Sequence, residues 1–230
     1  MKLCVRAYTN IENSIMQYTS INRRKESVPV KRGMSKMSFT LKRFFDVVFS
    51  ALGIVLLSPI FLLIYIALLL QGNGSVIYKQ ERVGLHGKSF NILKFRTMKK
   101  DAERNGPQLE MVNDPRLTRV GKLLRKHHLD ELPQLFNVLV GEMSLVGYRP
   151  ERKFFIDQIM EKDSRYECLY QMRPGLTSEA TLYNGYTSSI DKMLERLNMD
   201  LRYLEVGTLK TDIKIIFSTI KLILLGSKTL

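Results

Sequence analysis

The sequence is poor in the residues that mark several common classes of site. Only two of its 230 residues are cysteine, Cys4 and Cys168, and they form no Cys-x-x-Cys pair, which excludes a disulfide framework and a cysteine-based zinc site and suits a reducing compartment. Three histidines, His86, His127 and His128, are too few and too badly spaced for a His-rich metal site, because adjacent side chains on a helix point apart. Acid is scarce, with 22 Asp and Glu against 36 Lys and Arg, so the net charge of +14 favours anionic partners. With 14 Gly and 7 Pro the chain is not collagen-like or low-complexity, and 45% hydrophobic residues suffice for the core of one mid-sized domain. Gly84-x-x-Gly-Lys-Ser89 has two residues between its glycines where a P-loop needs four. Gly141-Glu-Met-Ser144-Leu-Val-Gly147 misses the spacing of a nucleophile elbow. Helix-turn-helix, zinc-finger and RNP patterns are absent, so nucleic acid is not the expected partner.

What the chain does have is an uncharged run of 24 residues, Val47 to Leu70. As one helix it would be about 36 Å long, enough to cross a bilayer. Its flanks are both basic. Residues 1–43 carry ten Lys and Arg against two acids, and residues 71–126 carry thirteen against five, an excess of eight on either side. A straight span cannot place both flanks on the positive, cytoplasmic side, whereas a helix that bends and leaves by the face it entered can. Ser58-Pro59 lies in the middle of the run, where proline removes a helical hydrogen bond and the serine hydroxyl can serve a freed carbonyl. The expectation is a re-entrant membrane helix over 41–71, a basic and flexible extension over 1–40, and a catalytic domain over 72–230. Thr208 to Leu225 reads as an amphipathic helix with Leu209, Ile213, Ile216, Phe217, Ile220 and Leu224 on one stripe, suited either to a membrane interface or to a core.

Between these elements, Val76–Val83 and Ser89–Thr97 read as a β-hairpin around Gly84–Lys88. After the Asp114-Pro115 turn comes a helix with Leu117, Val120 and Leu124 on one stripe and Arg119, Lys122 and Lys126 on another, either a solvated face or an anion-binding one. Proline is tolerated only in a first helical turn, so Leu129-Asp-Glu-Leu-Pro133 predicts a helix from about Asp130 to Leu139. Asp130 and Glu131 then sit at its amino-terminal end, either as capping carboxylates or as a site where carboxylate, divalent cation and phosphate meet. The fold class that results is α/β, mostly helical with a small β-hairpin, a single membrane-associated domain with interfacial amphipathic helices.

Six ordered blocks resemble the bacterial sugar transferases, the monotopic polyprenol-phosphate phosphoglycosyl transferases. They are Lys42-Arg43-Phe-Phe-Asp46 with Ser58-Pro59, Tyr78-Lys-Gln-Glu-Arg-Val-Gly84, Phe90 to Met98, Asp114 to Arg125, Leu129 to Gly147, and Arg173-Pro-Gly-Leu-Thr177. The resemblance covers about residues 41–225. Two departures stand out: Gly147-Tyr148-Arg149-Pro150 where the family usually reads Gly-Pro-Arg-Pro, and Ser178-Glu-Ala-Thr181 leading to Asn184-Gly-Tyr186 where many members differ.

The resemblance implies transfer of a sugar 1-phosphate from a UDP-sugar to a polyprenol (undecaprenyl) phosphate, releasing UMP, at the cytoplasmic face of the bacterial inner membrane. Downstream glycosyltransferases would extend the product into a surface polysaccharide. By family position Asp130 is the nucleophile and Glu131 the Mg2+ ligand. Arg125 and Arg149 clamp phosphate, Lys94, Arg96 and Arg173 are further phosphate-binding candidates, and Asp200 orients an arginine or lies near the metal. Two other readings remain: a membrane-anchored basic module for nucleic acid or anionic lipid, and an inactive assembly scaffold on the same fold.

Overall fold

The computed structural model describes residues 32–104, 106–109, 111, 114–183 and 189–225. Residues 1–31 of the basic extension and the Asn184–Tyr186 departure lie outside the described residues.

The chain enters through helix α1, Lys36–Leu56, whose first turn is capped by Ser35 Oγ accepting the Ser38 N–H. Lys42, Asp46 and Ser50 recur every fourth residue, so they share one face, and all three are buried. Lys42 Nζ lies 2.8 Å from Asp212, and Asp46 accepts Ser144 Oγ at 2.7 Å and the Leu145 N–H at 3.0 Å. Around the rest of the helix Phe44, Phe45, Phe49, Leu52 and Val55 are all exposed. The usual pattern is inverted: the polar stripe docks on the domain and the apolar stripe faces away.

Helix α2, Ser58–Gln71, follows a break at Leu57, and the two axes meet at 60°. In an unbroken helix Val55 O would accept from residue 59, but Pro59 has no N–H. Ser58 Oγ donates to that carbonyl instead, at 2.8 Å. No single described helix is long and apolar enough to cross a membrane, although the bent pair meets that criterion together.

Strands β1, Ile77–Val83, and β2, Ser89–Phe95, form the expected antiparallel hairpin, with Tyr78 paired to Lys94. Helix α3, Arg119–Lys126, is capped by Thr118 and buries Leu124. A short 3-10 turn, Leu129–Glu131, precedes helix α4, Gln134–Val140. This corrects the single helix expected from Asp130: Pro133 is itself the residue before α4, and the carboxylates lie upstream in a separate turn. Strand β3, Ser144–Val146, pairs in parallel with β4, Gly175–Thr177, a connection that three-residue strands gave no pattern to reveal. The two backbones come so close that a Cβ on Gly175 would lie 2.1 Å from Gly147 N.

Helices α5, Lys153–Lys162, and α7, Ile190–Val206, with the short α6, Glu179–Tyr183, surround the main core, in which Tyr148, Ile159, Leu169 and Leu197 are almost wholly enclosed. Helix α8, Leu209–Leu225, turns Asp212 and Ile215 inward while Ile213, Phe217, Ile220 and Leu224 remain exposed; Leu209 and Ile216 of the same stripe are half-buried, and Ile216 packs on the main core, so the stripe is split between core and exterior.

Asp212 also accepts the Tyr203 hydroxyl, which makes Lys42 the counter-charge of a buried carboxylate. Lys42→Ala is expected to cost about 3–5 kcal/mol by stranding that charge, whereas Lys42→Met with Asp212→Leu should cost less. Thermal unfolding checks the order: a double variant less stable than Lys42→Ala alone would contradict it.

Candidate active site

The 3-10 turn exists because His128 adopts a left-handed conformation, φ 53°, and ends α3 abruptly. The His128 N–H donates to Arg125 O at 3.1 Å, and its carbonyl accepts the Glu131 N–H at 3.3 Å. Leu129 and Leu132 pack beside Phe95 and Leu124, which pins the turn against β2 and α3. Asp130 is thereby buried, at 6% exposure.

Glu131 is gripped from two directions. Lys94 Nζ, on β2, lies 2.7 Å from its Oε1, and Arg149 Nη2, from the turn after β3, lies 3.1 Å from the same oxygen. Burial alone would raise this carboxyl, but the charges of Lys94, Arg149 and His128 outweigh it and hold the group well below the usual carboxylate range. Three segments far apart in sequence thus meet at one oxygen, and the site is anionic at its centre with cations around it.

Arg125 extends from the last turn of α3, its Nε donating to Thr97 Oγ1 at 3.0 Å. Arg96 holds the start of the hairpin through Ser75 O at 2.6 Å and lies 5.6 Å from the Tyr78 ring centroid. Arg173 is elsewhere. Its Nε donates to Gly141 O at 2.8 Å, at the carboxyl end of α4, while the Asp130–Glu131 turn precedes the amino end. There it shares the helix terminus with Arg43, which donates to Val138 O and Leu139 O, and burial together with Arg43 lowers its affinity for its proton. Cations at a carboxyl-terminal helix end have a structural reason to be there.

Asp200 is buried on α7 and accepts the backbone N–H of Arg149, so the structure gives it contact with the arginine's main chain. Tyr148, in place of the resembled proline, is fully buried, and Arg149 still reaches Glu131. Ser178 Oγ accepts the Thr181 N–H at 2.9 Å, which gives that departure a local role at the start of α6. Sequence reasoning missed Glu151, Arg82 and Arg196, a buried ionic trio behind Arg149. Their separations, 69 and 45 residues, carry no local signal.

For Mg2+ the donor set is small. Among the described residues no three His, Cys, Asp or Glu side chains form a metal cluster. Both hydrogen bonds to Glu131 fall on Oε1, so Oε2 can serve a cation that also takes oxygens from phosphate and water, the habit of Mg2+.

The family model described as Bacterial sugar transferase matches residues 37–226, which takes in every element around this turn. The chain belongs to the bacterial sugar transferase family. Among curated relatives, it is 39% identical over 186 residues to an Aeromonas hydrophila protein named UDP-N-acetylgalactosamine-undecaprenyl-phosphate N-acetylgalactosaminephosphotransferase, covering 81% of this chain and 44% of that one. It is 38% identical over 189 residues to the Escherichia coli K12 UDP-glucose:undecaprenyl-phosphate glucose-1-phosphate transferase, covering 81% and 41%. A Caulobacter vibrioides protein of the same name is 40% identical over 183 residues, covering 78% and 68%. The chain therefore spans less than half the length of the first two.

Burial pushes the Asp200 carboxyl from 3.8 up to about 8, with Arg196 opposing and Glu151 adding to the rise. Folded protein then keeps a proton that unfolded chain releases, so stability falls as pH rises from about 4 to about 8 and levels beyond. Asp200→Asn is expected to flatten that slope in melting temperature against pH; an unchanged slope would show that Asp200 titrates normally.

Proposed function

We propose that this chain transfers a sugar 1-phosphate from a UDP-sugar to a polyprenol phosphate, through a covalent intermediate on Asp130. The observation that carries the reading is the turn with buried Asp130 beside Glu131, on which Lys94 and Arg149 converge, in a member of a family whose relatives bear undecaprenyl-phosphate sugar phosphotransferase names. Both substrates are polyanions, and direct attack of one phosphate on the other is opposed by charge. Two displacements are easier. An Asp130 oxygen bonds to the sugar-bearing phosphorus, and the bond from that phosphorus to UMP breaks with its electron pair leaving on UMP. The acceptor phosphate then forms a bond to the same phosphorus and the aspartate leaves, restored as carboxylate.

Phosphoryl transfer demands mainly positioning and compensation of charge. Arg149 supplies a planar fork suited to phosphate oxygens, Lys94 a point charge, and Arg125 a second guanidinium one turn before the carboxylates. Glu131 would hold Mg2+, which when bound neutralises charge on the donor diphosphate. Asp200 keeps the Arg149 backbone in place. The basic-module reading leaves the closure of Lys94 and Arg149 around Glu131 without a purpose.

The reaction places a soluble nucleotide sugar and a lipid phosphate at one surface, and we read α1 and α2 as a re-entrant hairpin in the cytoplasmic leaflet of the inner membrane. The matched basic flanks, the 60° break and the exposed apolar residues of α1, α2 and α8 support this. The end of α8 lies against the end of α3, with His127 Nδ1 3.3 Å from Ile223 O.

Asp130→Asn is expected to abolish UMP release while the protein still folds, and intact mass of wild type given the right UDP-sugar alone should show one added sugar phosphate. EDTA and Glu131→Gln should each suppress turnover severely. Near-normal turnover of Asp130→Asn would sink the covalent step, and full activity in EDTA would remove the metal. For topology, cysteine reporters at Lys36 and Ser75 in a Cys-free background should both escape an impermeant thiol reagent added to spheroplasts. Labelling of one alone would mean that the segment spans.

A further inference from the structure

Arg149 reaches Glu131 from the six-residue connection between β3 and α5, residues 147–152, and its segment Arg149 to Glu151 is tied down by polar contacts. The Arg149 N–H donates to Asp200, Arg82 Nη1 donates to Pro150 O at 3.2 Å, and the Val83 N–H approaches Glu151 O at 3.4 Å. The Glu151 side chain is the centre of the arrangement. Its Oε2 lies 3.3 Å from Arg82 Nη1 and its Oε1 2.7 Å from Arg196 Nη1, with side-chain exposures of 11% for Glu151, 14% for Arg82 and 8% for Arg196.

As a device for stability this trio is poor. Buried charges lose hydration that their mutual attraction barely repays, and well-packed apolar residues of similar volume often hold a fold as well or better. Moreover, the Nε atoms of Arg82 and Arg196 are buried without a hydrogen-bond partner among the described residues, a further cost. What the trio supplies is direction. Arg82 stands near the end of β1 and Arg196 in the middle of α7, so Glu151 meets both only with the turn in one position. That position is the one in which Arg149 Nη2 lies 3.1 Å from Glu131.

We propose that Glu151 is a positioning residue for the transfer reaction: paired with Arg82 and Arg196, it fixes the turn that aims Arg149 at the Asp130–Glu131 site. The proposal rests on the reading above that Arg149 binds a reacting phosphate, and it assigns the trio a purpose that folding alone does not require. Glu151 acts through Arg149, so the two should be energetically coupled rather than independent.

The test is a double-mutant cycle on the full chain, reading kcat and KM for UMP release with Arg149→Lys, Glu151→Gln and the two together. Arg149→Lys is expected to lower kcat/KM roughly 10- to 1000-fold, because lysine keeps the charge and loses the fork. Glu151→Gln should lower it about 10- to 100-fold, chiefly in kcat, and the double variant should be no worse than Arg149→Lys within about 3-fold. Losses that multiply would overturn the proposal alone. Wild-type turnover of Arg149→Lys would overturn the reading of Arg149 and the proposal with it. Since Glu151→Gln strands two buried guanidinium groups and can fail to fold, a second variant replaces the trio together: Arg82→Met, Glu151→Leu, Arg196→Met. It should keep its melting temperature, lose turnover, and lose little more when Arg149→Lys is added. Full turnover in that stable apolar variant would show that the trio positions nothing.

Discussion

Two guanidinium groups on the carboxyl end of a seven-residue helix tie the apolar helix α1 to the segment that carries Asp130 and Glu131. Arg43, from α1, donates to Val138 O and Leu139 O, and Arg173 donates to Gly141 O. A helix as short as α4 cannot hold its own terminal carbonyls, and cations there satisfy both the carbonyls and the dipole. The amino end of the same helix is preceded by the Asp130–Glu131 turn. Whatever fixes α4 therefore fixes the distance between the apolar surface of α1 and the Asp130–Glu131 carboxylates.

The polar stripe of α1 makes that tie rigid. Lys42 with Asp212, and Asp46 with Ser144 and Leu145, secure the helix to α8 and to β3. Each contact is costly to strand in a buried setting, so the helix has one seat rather than a sliding apolar interface. With its polar groups spent inward, α1 turns its phenylalanines outward, and α8 does the same with Phe217 and Ile220. The exposed apolar faces of α1 and α8 thus follow from which of their side chains are spent on buried contacts.

On the other side of the turn the organisation is electrostatic. Lys94 and Arg149 converge on a single oxygen of Glu131, and behind Arg149 stand Asp200 and the Arg82–Glu151–Arg196 trio. The net positive charge of the chain is thus structured: part of it seals helix ends, part is buried against acid, and part is held beside the Asp130–Glu131 carboxylates.

The sequence by itself determined the features that arise from neighbours in the chain. Two β-rich runs around Gly84–Lys88 specified the hairpin, and Pro59 with Ser58 specified the bend, because a missing N–H and a nearby hydroxyl act within one helical turn. The ordered blocks from Lys42 to Thr177 marked the family and named Asp130, Glu131 and Arg149 as residues to examine. Only the tertiary structure decided which charges meet. It moved the carboxylates out of α4 into a turn set by His128, sent Arg173 to the far end of that helix, and brought Arg82, Glu151 and Arg196 together. It also chose which face of α8 was left exposed. Local periodicity fixes a helix and its stripes, but the partner of each stripe, and of each buried charge, comes from a segment tens of residues away, where sequence spacing carries no geometric information.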